Sequence, residues 1–353
     1  MRAAVLVEYG APLEIRSVDR PTPPADGVVV ETEACGVCRS DWHAWRGDWD
    51  WLGARTPLGQ VLGHEPAGRV VEVGPDVETV SEGDRVAVPF TLADGTCHYC
   101  RTGRANLCTD LVPLGFVEDA PGAFAEAFPV PSADGNVVRL PDGVDPVDMA
   151  GLGCRFVTAY HALAHRADLT PGDWVAVHGC GGVGLSAVHV ADALGCGVVA
   201  VDLDADKLAL AATLGADATV DASAVDDVPR EIVGLTDGGA AVSVDALGIA
   251  ETCRNSVACL ARGGQHLQIG LTSGEERGEV ALPTDAMVFK ELDFLGSYGM
   301  PPPRFDELLR LIAQGKLDPG RVVSGTIGLE DVSDQLVAMG DYGTTGIPVV
   351  TEF

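Results

Sequence analysis

WVAVHGCGGVGLSAVHVADALGCGVVAVDLD, residues 174–204, decides the fold. It opens on a short apolar run, Trp174 to His178, and passes through a cluster of glycines. VGLSAVHVADALG then places apolar and small residues at helical spacing, and a second apolar run ends in an acid, Asp202. Strand, turn, helix and strand in this order form a right-handed crossover and build a parallel sheet. In the run Gly179-Cys180-Gly181-Gly182-Val183-Gly184, the residues Gly179, Gly181 and Gly184 match G-x-G-x-x-G. Such glycines permit a tight turn, close approach of the backbone to a pyrophosphate, and close packing of helix on strand. The helix N-terminus offers free N–H groups and positive dipole to the phosphates. Asp202 lies 18 residues after Gly184. An acid there accepts hydrogen bonds from the adenosine ribose hydroxyls and repels a 2′-phosphate, which favours NAD over NADP. Lys207 either reaches the same ribose or is a solvated lysine on the next helix. Cys180 reads as a small filler, not a reactive thiol.

Outward from this unit the texture differs on the two sides. Downstream, ADKLALAATLG reads as a helix and ATVDAS as a short strand. AAVSVDALG, GGQHLQIGL and ELDFLGSYG supply three more strands, with a helix at AETCRNSVACLARG. This alternation predicts a doubly wound parallel sheet covered on both faces. Upstream, AAVLVEY, GVVVETEA, GRVVEVG and DRVAVPF are β-rich runs broken by Pro-Pro, Asp-Gly and Gly-Asp pairs. No strong helical periodicity is seen before Val147. The C-terminal part reads as an amphipathic helix in PPRFDELLRLIAQGKLDP, a strand in VVSGTIGL, a helix near Glu330 to Met339, and a closing strand IPVVTEF.

The chain of 353 residues carries 52 acidic and 23 basic residues, a net charge of −29. The acids are scattered and form no tail, so a dispersed negative surface argues against nucleic acid or anionic membranes as partners. At molar ionic strength the Debye length shrinks to about 3 Å and self-repulsion is screened. The composition therefore fits a salt-rich cytoplasm, or simply an acidic soluble protein. Ten cysteines are too few for a disulfide scaffold. The N-terminal stretch lacks a signal-like apolar core, and the expected location is cytoplasmic. Residues 174–201 are apolar but contain Asp192, two histidines and many glycines, which speaks against a membrane span.

Metal-capable side chains occur in three places. CGVCRSDWH holds Cys35, Cys38, Ser40, Asp41 and His43; GHEPAG holds His64 and Glu65; GLGCRF holds Cys154. ADGTCHYCRTGRANLC, residues 93–108, adds Cys97, Cys100 and Cys108 in a C-x2-C-x7-C spacing that asks for zinc and a fourth ligand. With GHEPAGRVVEVG, GDRV, GCGGVG and VDLDADKL, these blocks make the chain similar, essentially end to end, to the zinc-dependent alcohol dehydrogenases of the medium-chain dehydrogenase/reductase superfamily, in a salt-adapted microbial form.

The resemblance implies an α/β chain in which a GroES-like, β-rich catalytic domain (1–153 and 291–353) accompanies a Rossmann cofactor domain (154–290). It implies a catalytic Zn²⁺ held by Cys38, His64 and Cys154, with Glu65 beside the metal and Asp41 orienting the histidine. Cys35 is then a structural thiol. The metal acts as a Lewis acid on an alcohol that gives hydride to the nicotinamide. Ser40 and His43 match the family's proton relay, with the cofactor ribose between them. The cofactor contacts fall on Gly179, Gly181, Gly182, Val183, Gly184, Asp202 and Lys207. A second, structural Zn²⁺ is implied by the cysteine loop, whose missing first ligand falls on Asp94, with His98 as a possible substitute.

Trp42 and Phe90 match the substrate pocket, and Trp45, Trp49 and Trp51 crowd the same segment. The chain departs from one branch of the family at Ile347, where that branch has a phosphate-contacting arginine. The expected substrates are an alcohol and its aldehyde or ketone, and the expected assembly is a homo-dimer or tetramer. A polyol or sugar dehydrogenase is the alternative, against which Cys154 speaks. An NADP preference is a further alternative.

Overall fold

The computed structural model describes residues 1–353 except 142, 273–274 and 341–342. The described chain divides into two units, Met1–Cys154 with Gly299–Phe353, and Arg155–Tyr298.

In the second unit the valine-rich runs become strands buried on both faces, as in Trp174–His178 and Gly197–Asp202. Six strands pair in the order Ala218–Asp221, Gly197–Asp202, Trp174–His178, Ala240–Asp245, Leu260–Gln268 and Asp293–Gly296. Every pairing is parallel. The first strand in sequence thus lies inside the sheet, the chain winds outward on either side of it, and the glycine cluster follows it at the switch point. The helix Gly182–Ala193 begins within that cluster. Asp204 caps the next helix, Ala205–Thr213, by accepting from the N–H groups of Asp206 and Lys207. Residues 291–298 were expected in the β-rich domain but fall in this unit, because Asp293–Gly296 pairs with Leu260–Gln268 and completes the sheet. Cys154 conversely falls in the first unit.

The first unit is built on a seven-stranded sheet. Its order is Val323–Gly328, Ile347–Glu352, Val28–Gly36, Glu65–Val73, Arg85–Ala87 and Val138–Arg139, with Ala127–Val130 also on Val28–Gly36. The core includes Val28, Val30, Leu62, Leu92, Leu114, Phe124 and Phe128, all buried. Gly36 lies opposite Glu65 in the antiparallel ladder. That register brings the segment leading to Cys38 alongside the one that carries His64 and Glu65.

One expectation fails here. Sequence periodicity gave no helix before Val147, yet Arg39–Arg46 is helical, and short helical turns form at His98–Arg101 and Ala133–Asn136. The signal at Arg39–Arg46 is confined to two turns and is clearest at the caps. Cys38 is extended at the N-cap, the Asp41 carboxylate accepts from the Cys38 N–H, and Gly47 ends the helix at φ 70°. No helix of the described residues is long and apolar enough to cross a membrane.

Candidate functional site

Cys38, His64, Glu65 and Cys154 each offer one ligand atom, and these atoms all lie within 4.8 Å of one another. Each arrives from a different local structure. Cys38 caps the helix Arg39–Arg46, His64 and Glu65 stand at the start of the strand Glu65–Val73, and Cys154 opens the helix Cys154–His161. Two glycines make the convergence possible. Gly63 is at φ +95°, and a Cβ there would fall 2.7 Å from the Phe124 nitrogen. A Cβ on Gly153 would fall 2.5 Å from three carbons of the Glu65 side chain.

Asp41 organises the cluster from behind. It is fully buried, and its carboxylate accepts from the N–H groups of Cys38 (3.0 Å) and Gly63 (3.1 Å) and from His64 Nδ1 (2.9 Å). The Nδ1–H bond fixes the tautomer and leaves the Nε2 lone pair available. Nε2 is buried and makes no standard hydrogen bond among the described residues. Burial opposes a charge on His64, but Asp41 and then Cys38 override it and raise its pKa well above the ordinary imidazole value. Surroundings that draw a proton so strongly also favour a metal cation. Two thiols, a buried imidazole and a carboxylate are a zinc donor set.

Ser40 and His43 share one face of the helix Arg39–Arg46, three residues apart. Burial and Arg39 lower the pKa of His43 against the opposing pull of Asp48, whose oxygen is 3.4 Å from Nδ1. The His43 ring stacks on Trp49 at 5.4 Å, Trp49 meets Phe116 at 5.7 Å, and Phe116 meets His64 at 4.9 Å. Phe90 stands edge-on to His64 at 6.1 Å. Trp42 is placed differently from Phe90. Its ring lies 3.8 Å under the Arg39 guanidinium and packs on the core. Phe116 was not singled out from sequence, because a lone phenylalanine in VPLGFVED carries no spacing signal.

Asp94, Cys97, Cys100 and Cys108 form a second cluster within 4.8 Å. The Cys97 sulfur is 3.5 Å from that of Cys100 and 3.9 Å from that of Cys108. Two ~2.3 Å Zn–S bonds at a tetrahedral angle put their sulfurs about 3.8 Å apart. Asp94 Oδ1 lies 3.3 Å from Cys100 and 3.2 Å from Cys108, at the remaining corner. Bonds from Thr96 and the Cys97 N–H hold the Asp94 carboxyl far below the usual range. Backbone bonds at Cys100 and Thr109 lower the Cys97 thiol to about 6, while burial pushes Cys100 up to about 12. His98 is exposed, stands against Tyr99, and is not among the four.

The glycine cluster has the shape its sequence implies. Gly179 is at φ +89°, and a Cβ on Gly184 would fall 1.7 Å from the Gly179 carbonyl oxygen. Around Gly181, the N-cap, a Cβ would meet nothing within 4 Å, so that side is open to a ligand. Asp202 accepts from the Cys180 N–H at 2.6 Å and from the N–H groups of Leu203 and Asp204, which ties the end of its strand to the glycine turn. Cys180 is fully buried, and burial raises its thiol pKa. Lys207 Nζ is 3.9 Å from Asp204 Oδ2. Ile347 is fully buried.

Residues 24–142 match the alcohol dehydrogenase GroES-like domain and residues 182–314 the zinc-binding dehydrogenase domain. An alcohol dehydrogenase of Geobacillus stearothermophilus is 36% identical over 337 residues, covering 95% of this chain and 94% of that one. The chain belongs to the zinc-dependent alcohol dehydrogenase family. Among other members, the NAD-dependent alcohol dehydrogenase of Sulfurisphaera tokodaii is 33% identical over 99% of both chains. Alcohol dehydrogenase TADH from Thermus sp. ATN1 superposes with a TM-score of 0.89 over 100% of both chains at 30% identity. The alcohol dehydrogenase of Aeropyrum pernix also gives 0.89, at 32% identity over 99% of this chain and 100% of that one. The expected fold class is therefore the observed one, a GroES-like alcohol dehydrogenase domain joined to a Rossmann-type unit.

Proposed function

We propose that the chain is a zinc-dependent alcohol dehydrogenase that moves a hydride between an alcohol and NAD, with Cys38, His64 and Cys154 as ligands of the catalytic metal. The observation that carries this reading is the convergence of Cys38, His64, Glu65 and Cys154, whose ligand atoms all lie within 4.8 Å of one another. Bound there, zinc supplies Lewis-acid polarisation of the alcohol oxygen. Asp41 holds the Cys38 backbone and the His64 ring in place through its three accepted bonds. Ser40 accepts the proton leaving the alcohol and passes it towards His43. Burial and Arg39 favour the neutral form of His43, the form that can receive it. Trp49, Phe90 and Phe116 form an aromatic wall beside His64, which favours an apolar or aromatic alcohol.

The glycine turn and the N-terminus of Gly182–Ala193 hold the cofactor phosphates, and Asp202 accepts from the adenosine ribose. Asp202→Asn removes the charge and leaves one acceptor oxygen, which can serve the Cys180 N–H only by giving up the bonds from Leu203 and Asp204. The variant is expected to narrow the NAD-over-NADP ratio of kcat/KM by roughly ten- to a hundredfold, since charge-assisted hydrogen bonds contribute about 1.5–3 kcal/mol. An unchanged ratio excludes Asp202 as the selector.

Asp94, Cys97, Cys100 and Cys108 hold a second, structural zinc, closed by four ligands. Metal analysis should give two zincs per chain. Cys100→Ser should give one, with a lower thermal midpoint and retained activity below that midpoint. One zinc in the wild type overturns the structural site.

The chain assembles with copies of itself through the outer strand of the six-stranded sheet. Asp293–Gly296 is an edge strand carrying Phe294, and the nearby helix Thr284–Lys290 leaves Val288 and Phe289 72% and 76% exposed. Phe289→Glu is expected to shift the protein to a smaller species in light scattering coupled to gel filtration. An unchanged mass places the interface elsewhere.

The net charge of −29, without an acidic tail, supports work in a salt-rich cytoplasm. The function is tested by an alcohol panel with NAD and NADP in molar salt and in dilute buffer, followed by reduced-nicotinamide absorbance. No turnover on any alcohol by the zinc-loaded chain overturns the reading, and equal activity in dilute buffer overturns the salt adaptation.

A further inference from the structure

Eight histidines are present in the chain, and two of them meet within the second unit. His161 ends the helix Cys154–His161, and His165 lies in the turn Ala162–Arg166 that continues it. That turn is π-helical: the Ala167 N–H bonds back five residues to the Ala162 carbonyl at 2.9 Å. Single π turns inside helices are rare and concentrate at functional positions. Here the turn brings two tilted imidazoles together, with Nδ1 of His161 3.2 Å from Nδ1 of His165. The rings lie 5.3 Å apart at 47°, and Tyr160 stands edge-on to His165 at 5.5 Å.

We infer that His161 and His165 form a two-imidazole site for a divalent transition metal of the zinc, nickel and copper class. The spacing is that of a chelate, since two ~2.1 Å metal–nitrogen bonds meeting at roughly 100° put their nitrogens about 3.2 Å apart. Imidazole suits these metals, and histidines four apart on one helical face are a recurrent pair for holding them. Both rings are half-buried, so water can complete the coordination from outside. A metal ion and a proton compete for the same imidazole nitrogens.

The probe is Ni²⁺, titrated calorimetrically into the zinc-loaded, untagged full chain, with released zinc followed by a chromogenic chelator. The expected result is one Ni²⁺ per chain bound without zinc release. His161→Gln and His165→Gln should each weaken it by at least about tenfold, because each removes half of the protein's donors. His98→Gln, at an exposed histidine outside the pair, should leave it unchanged. Nickel uptake matched by zinc release, no uptake by the wild type, or wild-type affinity in His165→Gln overturns the inference. Alcohol oxidation by the nickel-free variants, which should stay at the wild-type level, shows that they are folded.

Discussion

Cys38→Ala is expected to strip one zinc from each chain and to lower kcat/KM for alcohol oxidation by about three orders of magnitude or more. The estimate follows from the several kcal/mol that a Lewis-acid metal contributes to such a step, at 1.36 kcal/mol per factor of ten. Cys38 is buried at the N-cap of Arg39–Arg46, and its backbone N–H is held by Asp41, so alanine can keep the helix while deleting the donor atom. The structural cluster, built from other residues, should keep its metal. Zinc analysis, far-ultraviolet dichroism and steady-state kinetics on one preparation check all three statements. Turnover within tenfold of wild type would remove Cys38 from the metal site.

The second large effect is expected at Asp41, which touches no reacting atom. Asp41→Asn should weaken zinc binding by roughly ten- to a hundredfold, the usual cost of losing the group behind a ligating histidine. An asparagine has one acceptor oxygen where the carboxylate has two. If its oxygen faces Gly63 and His64, its NH₂ confronts the Cys38 N–H. If it turns the other way, the NH₂ faces His64 Nδ1 and pushes the ring proton onto Nε2, the nitrogen the metal needs. Chelator competition should show the weaker affinity, and added zinc should recover much of the activity. Zinc affinity equal to wild type would show that Asp41 serves the fold alone.

The two units differed in how far their sequences could be read. Around Gly179–Gly184 each step is short-range. The apolar strand, the glycines and the helix are neighbours in the chain, and Asp202 follows one crossover later. The cysteine loop is local for the same reason, because Asp94 to Cys108 span one turn-rich excursion. The cluster of Cys38, His64 and Cys154 is different. It depends on the pairing of Gly36 with Glu65 and on a contact between Gly153 and the Glu65 side chain, neither of which any spacing encodes. There, family resemblance supplied the residues that physics alone left open. The helix Arg39–Arg46 is hard to read because it spans only eight, mostly polar residues, and its buried stripe of Asp41, Ala44 and Trp45 includes an acid. The boundary near residue 291 was misplaced because a four-residue strand takes its side from its hydrogen-bonded neighbour.

Asp41 has a consequence for metal exchange. The bond that closes the first turn of Arg39–Arg46 also fixes the Cys38 backbone, and the same carboxylate aims His64. The folded chain therefore arranges these two donors by itself, and the incoming ion finds them ordered. In the cysteine loop the support is local, since Asp94 accepts from Thr96 and the Cys97 N–H and the three sulfurs otherwise contact one another, Asp94 and adjacent backbone. The two sites should then age differently in a chelating solvent. At Asp41 the ion can leave and return to a standing template, and which divalent metal occupies it becomes a matter of supply. In the loop, departure of a bound ion would leave four donors whose order rests on their own short segment.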